Sequence, residues 1–309
     1  MKNNSTFIGH LTAFATYAIF GFNIIFCKDI ATSNSISPVA LITLRAAGAT
    51  LLFWLISFFV PREKVARKDV GPIVLAALMG LFVPQFTFLT AITCTTTIDT
   101  SILSSLTPIM TMFVAALFLK EPITWKKVLG VAMSFVGVIL LILNSAHAPG
   151  AVDHTRPLGV TMLILNTFTF AMYLGIFRPL ISRYLPVTFM KWTFLVTFLF
   201  SLPFSSKSLL QEVDYRAIPT MVWWEIGYLI FFATFLAYFL LPIAQKRIRP
   251  TLISLYGYLQ PIIAVVVSII LGTDMLSWQK VLSILLVFGG VALVNRSRAA
   301  LAPAKGEVS

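Results

Sequence analysis

Acidic side chains are scarce in this chain, with 11 Asp and Glu among 309 residues. Only Asp99 and Glu225 fall inside apolar runs, so no span holds the paired carboxylates, histidine cluster or activated nucleophile that chemistry within a membrane requires. No enzyme is therefore expected. Cysteine is limited to Cys27 and Cys94, and histidine to His10, His147 and His154, without metal-ligand spacing. Neither a metal nor a cofactor is expected. A filter-like carbonyl loop or a charged ring is also missing, which argues against an ion channel. The connections between apolar runs are too short for a soluble domain, which weakens a receptor reading. Charge of both signs is thin, at 11% of residues against 58% apolar, and mean hydropathy is +0.92. A soluble globular domain is excluded on that balance.

What is present is a series of long apolar runs. With roughly 20 residues needed per crossing, ten fit, at about 8–27, 38–59, 70–92, 97–119, 125–144, 158–180, 186–204, 221–242, 250–271 and 277–295. The first follows a single Lys and lacks a small-residue cleavage site, so it reads as a retained helix and not a signal peptide. The net charge of +12 does not point to nucleic acid, because the basic residues sit in short clusters between runs. With the N-terminus inside, internal segments hold seventeen Lys and Arg and external ones five. That bias places both termini in the cytoplasm.

Ser101–Leu140 returns 153 positions later as Ser254–Leu293, with 13 of 40 positions identical. Among the matches are Leu106/Leu259, Pro108/Pro261, Trp125/Trp278, Lys127/Lys280 and Gly137/Gly290. Each copy is an apolar run interrupted by proline, a polar turn with Glu121 or Asp274 four residues before Trp, and a second apolar run. Ten helices in two copies give five per copy, and an odd number forces the second copy to enter the membrane upside down. The expectation is an all-α integral membrane protein of ten transmembrane helices, with residues 1–147 and 148–309 as two inverted five-helix repeats around a central cavity. Such repeats hold a substrate site near the bilayer midplane, at their interface.

Phe20-Gly21-Phe22-Asn23 with Lys28, then Pro38 and Arg45, Ser101–Pro108 leading to Leu119-Lys120-Glu121-Pro122 and Trp125, Gly137-Val138, Pro261 and Gly290-Val291 stand in the order and spacing of a known family. The chain resembles the EamA-type ten-helix permeases of the drug/metabolite transporter superfamily over nearly its whole length. It departs from that pattern at Phe20, where tryptophan is usual, at Gly272-Thr273-Asp274, where a Gly-Glu pair is usual, and at Lys191. The resemblance implies that helices one, three, four, six, eight and nine surround the cavity, with five and ten peripheral. It also implies export of a small metabolite.

Candidate site residues follow from polar groups inside apolar runs. Ser101, Ser104, Ser105 and Pro108 share a helical face, and Tyr256, Tyr258 and Gln260 precede Pro261 in the second copy. Asn23, Gln85, Tyr173 and Tyr238, with Asn166, Thr167, Thr169 and Thr234, lie in runs that the resemblance assigns to the cavity, and Phe86, Phe168, Phe170 and Phe235 would supply apolar wall. The alternative for any single serine is interhelical bonding. Pro108 and Pro261 each remove a backbone donor, which makes them candidate hinges or mere packing kinks. Arg45 lies seven residues inside its run, roughly 10 Å deep, and needs a partner. Asp99 is the nearest carboxylate by depth and Glu225 the second, giving an outer electrostatic latch of Arg45 and Asp99. Lys191 can snorkel to the surface. Cys27 and Cys94 both lie near the outer surface and could form a disulfide if adjacent, with separate buried thiols as the preferred reading.

These features point to a permease of the cytoplasmic (inner) membrane that moves a small amphiphilic metabolite, an amino acid or similar, by alternating access. Its partners would be that solute and the lipid bilayer, with no nucleic acid, in a monomer or homodimer. No carboxylate stands near the midplane for a proton relay, so facilitated movement or exchange is expected. The rival is a nucleotide-sugar or lipid-linked-sugar carrier of the same fold, which would be expected to line its cavity with several basic residues.

Overall fold

The computed structural model describes residues 2–33, 35–95, 100, 103–144, 156–213, 215–270 and 277–297. Asp99, Ser101, His147, His154 and Gly272–Asp274 lie outside the described residues. Among the described residues the chain is helical with no strand. The principal helices are α1 Lys2–Thr32, α2 Pro38–Ser57, α3 Arg67–Ala91, α4 Thr107–Leu119, α5 Trp125–Leu143, α6 Pro157–Ile176, α7 Pro186–Lys207, α8 Thr220–Arg247, α9 250–270 and α10 Trp278–Asn295. Nine of these regions are long and apolar enough to cross a membrane, and α4 is a shorter apolar helix. The protein is a multi-pass membrane protein.

Local sequence explains several boundaries. Ser37 caps α2, accepting the Ala40 N–H, and Pro38 occupies the first turn, where its missing donor costs nothing. Thr124 caps α5 through the Lys127 N–H and Ser277 caps α10 through the Lys280 N–H, the same device in both copies. At the end of α4, Lys120 adopts the left-handed conformation (φ 53°) and Pro122 prevents continuation. The run expected to begin near residue 97 enters regular helix only at Thr107: a turn at Ser105–Leu106 separates a short helical piece from α4, and Pro108 restarts the helix in its first turn. At the corresponding place α9 narrows to a 3₁₀ segment, Tyr256–Tyr258, before Pro261.

Contacts at the connections sort the helix ends into two faces. On one face, Gly9 of α1 abuts Arg247 and Ile248, Asp69 pairs with Arg183, Thr251 reaches Glu121, and Arg249 bonds the Val294 carbonyl. On the other, Ser37 meets Ser208 at 2.6 Å, and the Arg156 N–H donates to Cys94 O at 2.9 Å. Thus α1 starts on the first face, here called the N-terminal face, whereas α6 starts on the opposite one. The second copy is inverted.

The α5–α10 contact shows the same inversion at atomic scale. A Cβ on Gly290 would lie 2.3 Å from Gly130 O, and one on Gly137 would lie 2.8 Å from Ser283 O. Between them Ser134 donates to Val287 O at 3.0 Å, across a separation of 153 residues. Because Gly137/Gly290 and Gly130/Ser283 are repeat-related pairs, each contact has its mirror, which is the signature of a two-fold axis. Numbers rise along α5 as they fall along α10, so the helices are antiparallel. Small residues let these backbones touch where no hydrophobic effect drives helices together.

Candidate functional site

A cavity of about 310 Å³ lies between the copies, within the range of small-molecule sites. Its wall draws on α1 (Tyr17, Phe20, Asn23, Ile24, Cys27), α2 (Arg45), α3 (Pro84, Gln85, Phe88, Leu89), the α3–α4 connection (Thr95, Thr100), α4 and its lead-in (Ser104, Ser105, Pro108), α6 (Asn166, Phe170), α8 (Tyr238) and α9 (Ser254, Gly257, Tyr258, Gln260, Pro261). None of the described lining residues comes from α5, α7 or α10. The cavity runs from the middle of the bundle to the α3–α4 connection, opposite the N-terminal face.

Proline chemistry shapes this wall. Pro84 has no N–H, and just before it Leu78–Phe82 forms a π turn in which the Val83 N–H reaches back to Leu78 O. The Pro84 carbonyl accepts Asn166 Nδ2 at 2.6 Å, tying α3 to α6. Pro108 cannot donate to the Ser104 carbonyl, and the Thr107 hydroxyl fills that vacancy at 2.8 Å. Tyr258 donates to the Ser105 carbonyl at 3.1 Å, so the two broken segments, 153 residues apart, meet directly. A second π segment, Leu229–Leu236, carries Thr234, whose hydroxyl donates to Leu229 O and accepts from Arg45 Nε at 2.9 Å.

Of the residues singled out from sequence, Asn23, Gln85, Ser104, Ser105, Tyr238, Tyr258, Gln260, Pro108, Pro261 and Arg45 are brought together at this wall. Gln85 reaches the Tyr238 hydroxyl. Tyr173 is not in the lining: its ring fills the space over Gly80, stacked on Phe170, one turn nearer the N-terminal face. Tyr256 faces a separate apolar groove between α1, α9 and α10, where its hydroxyl meets His10 Nδ1 at 2.9 Å. With three residues per turn, only residues three apart eclipse in a 3₁₀ segment, so Tyr256 and Tyr258, two apart, point in different directions. Asp99 and Ser101 lie outside the described residues, and with them the proposed Arg45–Asp99 latch. Thr167 and Thr169 bond carbonyls of their own helix, Phe168 is exposed on the outer surface, and Phe235 packs on Phe53. Cys27 and Cys94 are both free thiols. Lys191 sits over the Trp54 ring, 5.0 Å from its centre.

The N-terminal face is closed by a layer that sequence reasoning assigned only to loop charge. Glu121 and Lys127 form a 2.7 Å ion pair with side chains 6% and 1% exposed. The same Glu121 oxygen accepts Thr251 of α9 at 3.4 Å. Beside it Arg178 donates to Gln245 O, and burial pulls its guanidinium below the usual arginine range while Glu121 opposes that shift. The signal was present in the repeat. Lys127 and Lys280 are matched, each follows an acidic residue by six positions, and both are buried, at 1% and 2%.

The EamA-like transporter family matches this chain twice, over residues 7–143 and 157–296. An uncharacterized transporter, YyaM, of Bacillus subtilis is 25% identical over 79% of this chain and 79% of its own length. An uncharacterized transporter of Archaeoglobus fulgidus is 25% identical over 85% of this chain and 90% of its own. One solved crystal structure superposes with a TM-score of 0.75 at 17% identity, covering 95% of this chain and 96% of that one, which supports the fold alone.

Proposed function

The chain belongs to the EamA-like transporter family, and from that premise we propose that it carries a small amphiphilic organic solute through the central cavity by alternating access. It is a membrane transporter, and the family points away from an enzyme. The observation that carries the finer reading is the cavity itself. Both copies line it, both helix breaks border it, it reaches one face, and a buried charged layer closes the other.

In this reading Asn23, Gln85, Ser104, Ser105, Tyr238, Tyr258 and Gln260 supply hydrogen bonds that orient the solute, and Phe20, Phe88 and Phe170 supply apolar wall. Pro108 and Pro261 mark the hinges. The charge bias supports both termini in the cytoplasm of a cell membrane, so the described state faces outward, and the family resemblance supports export. Residues 1–147 and 148–309 are the two moving repeats. Arg45 is the one cationic side chain among the described lining residues, which disfavours a phosphate-rich sugar nucleotide.

Purified protein in vesicles loaded with a panel of small metabolites tests this. Protein-dependent efflux of at least one amphiphilic solute, down its gradient and without an imposed pH difference, is expected. Failure to move any of them in either direction would refute the transport reading. Uphill accumulation driven by a pH gradient and lost in Asp99→Asn would replace the facilitator reading with proton coupling.

A further inference from the structure

Arg45 stands 4% exposed in the wall of the cavity. A guanidinium carries five N–H donors. Here Nε is spent on Thr234 at 2.9 Å, and one Nη1 hydrogen faces the Cys27 sulfur at 3.7 Å. Both partners are neutral and the second is a weak acceptor. Among the described residues no carboxylate pairs with Arg45, and Nη2 has no protein partner. The arginine is nevertheless held in place, since Thr234 is itself fixed by its bond to Leu229 O at 2.7 Å. A positioned, buried cation with spare donors facing a mostly apolar cavity favours an anion, and the described residues do not supply one.

We propose that the cavity binds a monocarboxylate, its carboxylate docked on the free edge of Arg45 and its apolar body against Ile24, Phe88, Leu89, Ile92 and Phe170. This assignment of substrate class rests on the transport reading above. The planar fork of a guanidinium matches a carboxylate in two parallel hydrogen bonds. A phosphoryl dianion would keep one charge uncompensated, because the described wall offers no second cation. Size sets a further limit. The cavity volume of about 310 Å³ lies at the small end of small-molecule sites, which favours a compact acid. The Cys27 thiol lies between Arg45 and Asn23, 3.7 Å from Nη1 and 3.8 Å from Asn23 Oδ1, so this side of the guanidinium faces α1.

The test uses detergent-purified full-length protein and two acid–amide pairs, 3-phenylpropionate with 3-phenylpropionamide and 4-methylpentanoate with its amide, in titration calorimetry. Wild type should bind at least one acid roughly tenfold or more tighter than its amide, the discrimination expected of a charged hydrogen-bonded pair. Arg45→Gln should reduce that preference to within about twofold, and Arg45→Lys should keep part of it as a point charge. Amides bound as tightly as acids by wild type would overturn the proposal, as would a full acid preference in Arg45→Gln. The wild-type comparison stands even if both variants misfold. Vesicle efflux separates the two readings. Neutral solutes released as fast as the acids would sink the carboxylate assignment and leave transport standing. No binding and no release of any solute would sink both.

Discussion

Removing Lys127 isolates a buried negative charge, and the structure allows the consequence to be sized. Glu121 Oε2 would keep only the 3.4 Å contact to Thr251, and Oε1 already has no partner among the described residues. Deleting one member of a buried pair costs about 3–5 kcal/mol, whereas replacing both by neutral groups of similar shape is often close to neutral. For a chain of this size about 2 °C of melting temperature accompanies each kcal/mol. Lys127→Met should therefore lower the melting temperature in detergent by roughly 6–10 °C, and Glu121→Gln/Lys127→Met should recover most of it. Because the pair also braces α9 through Thr251, the single variant should open the N-terminal face. A reporter cysteine at Gln245, fully buried in the structure, should then react with a hydrophilic maleimide at least tenfold faster than in the intact background. A Lys127→Met protein that melts within 1 °C of wild type and leaves the Gln245→Cys reporter unlabelled would refute the argument.

Other expectations follow from the same geometry. Gly290→Ala places a methyl 2.2 Å from Ser134 Oγ and 2.3 Å from Gly130 O, so α5 and α10 must separate, at a cost of about 1–3 kcal/mol that thermal unfolding would register. In a background lacking Cys27 and Cys94, cysteines at Ile123 and Met275 should be labelled from opposite sides of the membrane, and labelling from the same side would disprove the inverted arrangement. Pro108→Ala and Pro261→Ala restore a backbone donor and straighten their helices. Vesicle flux should fall in both while folding and insertion survive, and unchanged flux would leave the prolines as packing features.

The architecture was legible because its two main signals, apolar run length and the 153-residue repeat, act through the whole chain. Counting the runs likewise anticipated, by alternation, which connections share a face. The site was legible where a polar residue had no other reason to sit in an apolar run: Asn23, Gln85, Arg45 and Gln260 all reach the cavity wall. It failed where backbone geometry decides direction. Tyr256 and Tyr258 are equally polar and two residues apart, yet the 3₁₀ turn sends one to the outer groove and the other to the cavity. Tyr173 satisfies packing over Gly80, a contact between distant helices that no local pattern encodes. The partners of Arg45 were also illegible. Thr234 meets it because a π segment rotates α8, and neither this hydroxyl nor the Cys27 thiol was named from sequence as a partner, while Asp99 lies outside the described residues.

The inverted copies share a sequence pattern without sharing a shape, and that difference says which contacts must change if they exchange roles. At the break in α4 stands Ser105, and at the matching position of α9 stands Tyr258, which spans the gap to the Ser105 carbonyl. This contact is lopsided: exchanging the shapes of the two copies would put the small residue where the ring is needed, so the bond cannot persist in both states. The α5–α10 contact differs in kind. Its pairs map onto one another under the two-fold, so an exchange of shapes reproduces them, and in the proposed alternating-access cycle this contact is the candidate axis. Alternating access about that axis therefore predicts opposite outcomes for two cysteine pairs joined by a short bifunctional thiol reagent. Cross-linking Ser134→Cys to Val287→Cys should leave vesicle flux largely intact. Cross-linking Ser105→Cys to Tyr258→Cys should abolish it, reversibly when the link is cleaved. Flux lost on locking α5 to α10, or retained with the two breaks tied together, would move the axis elsewhere.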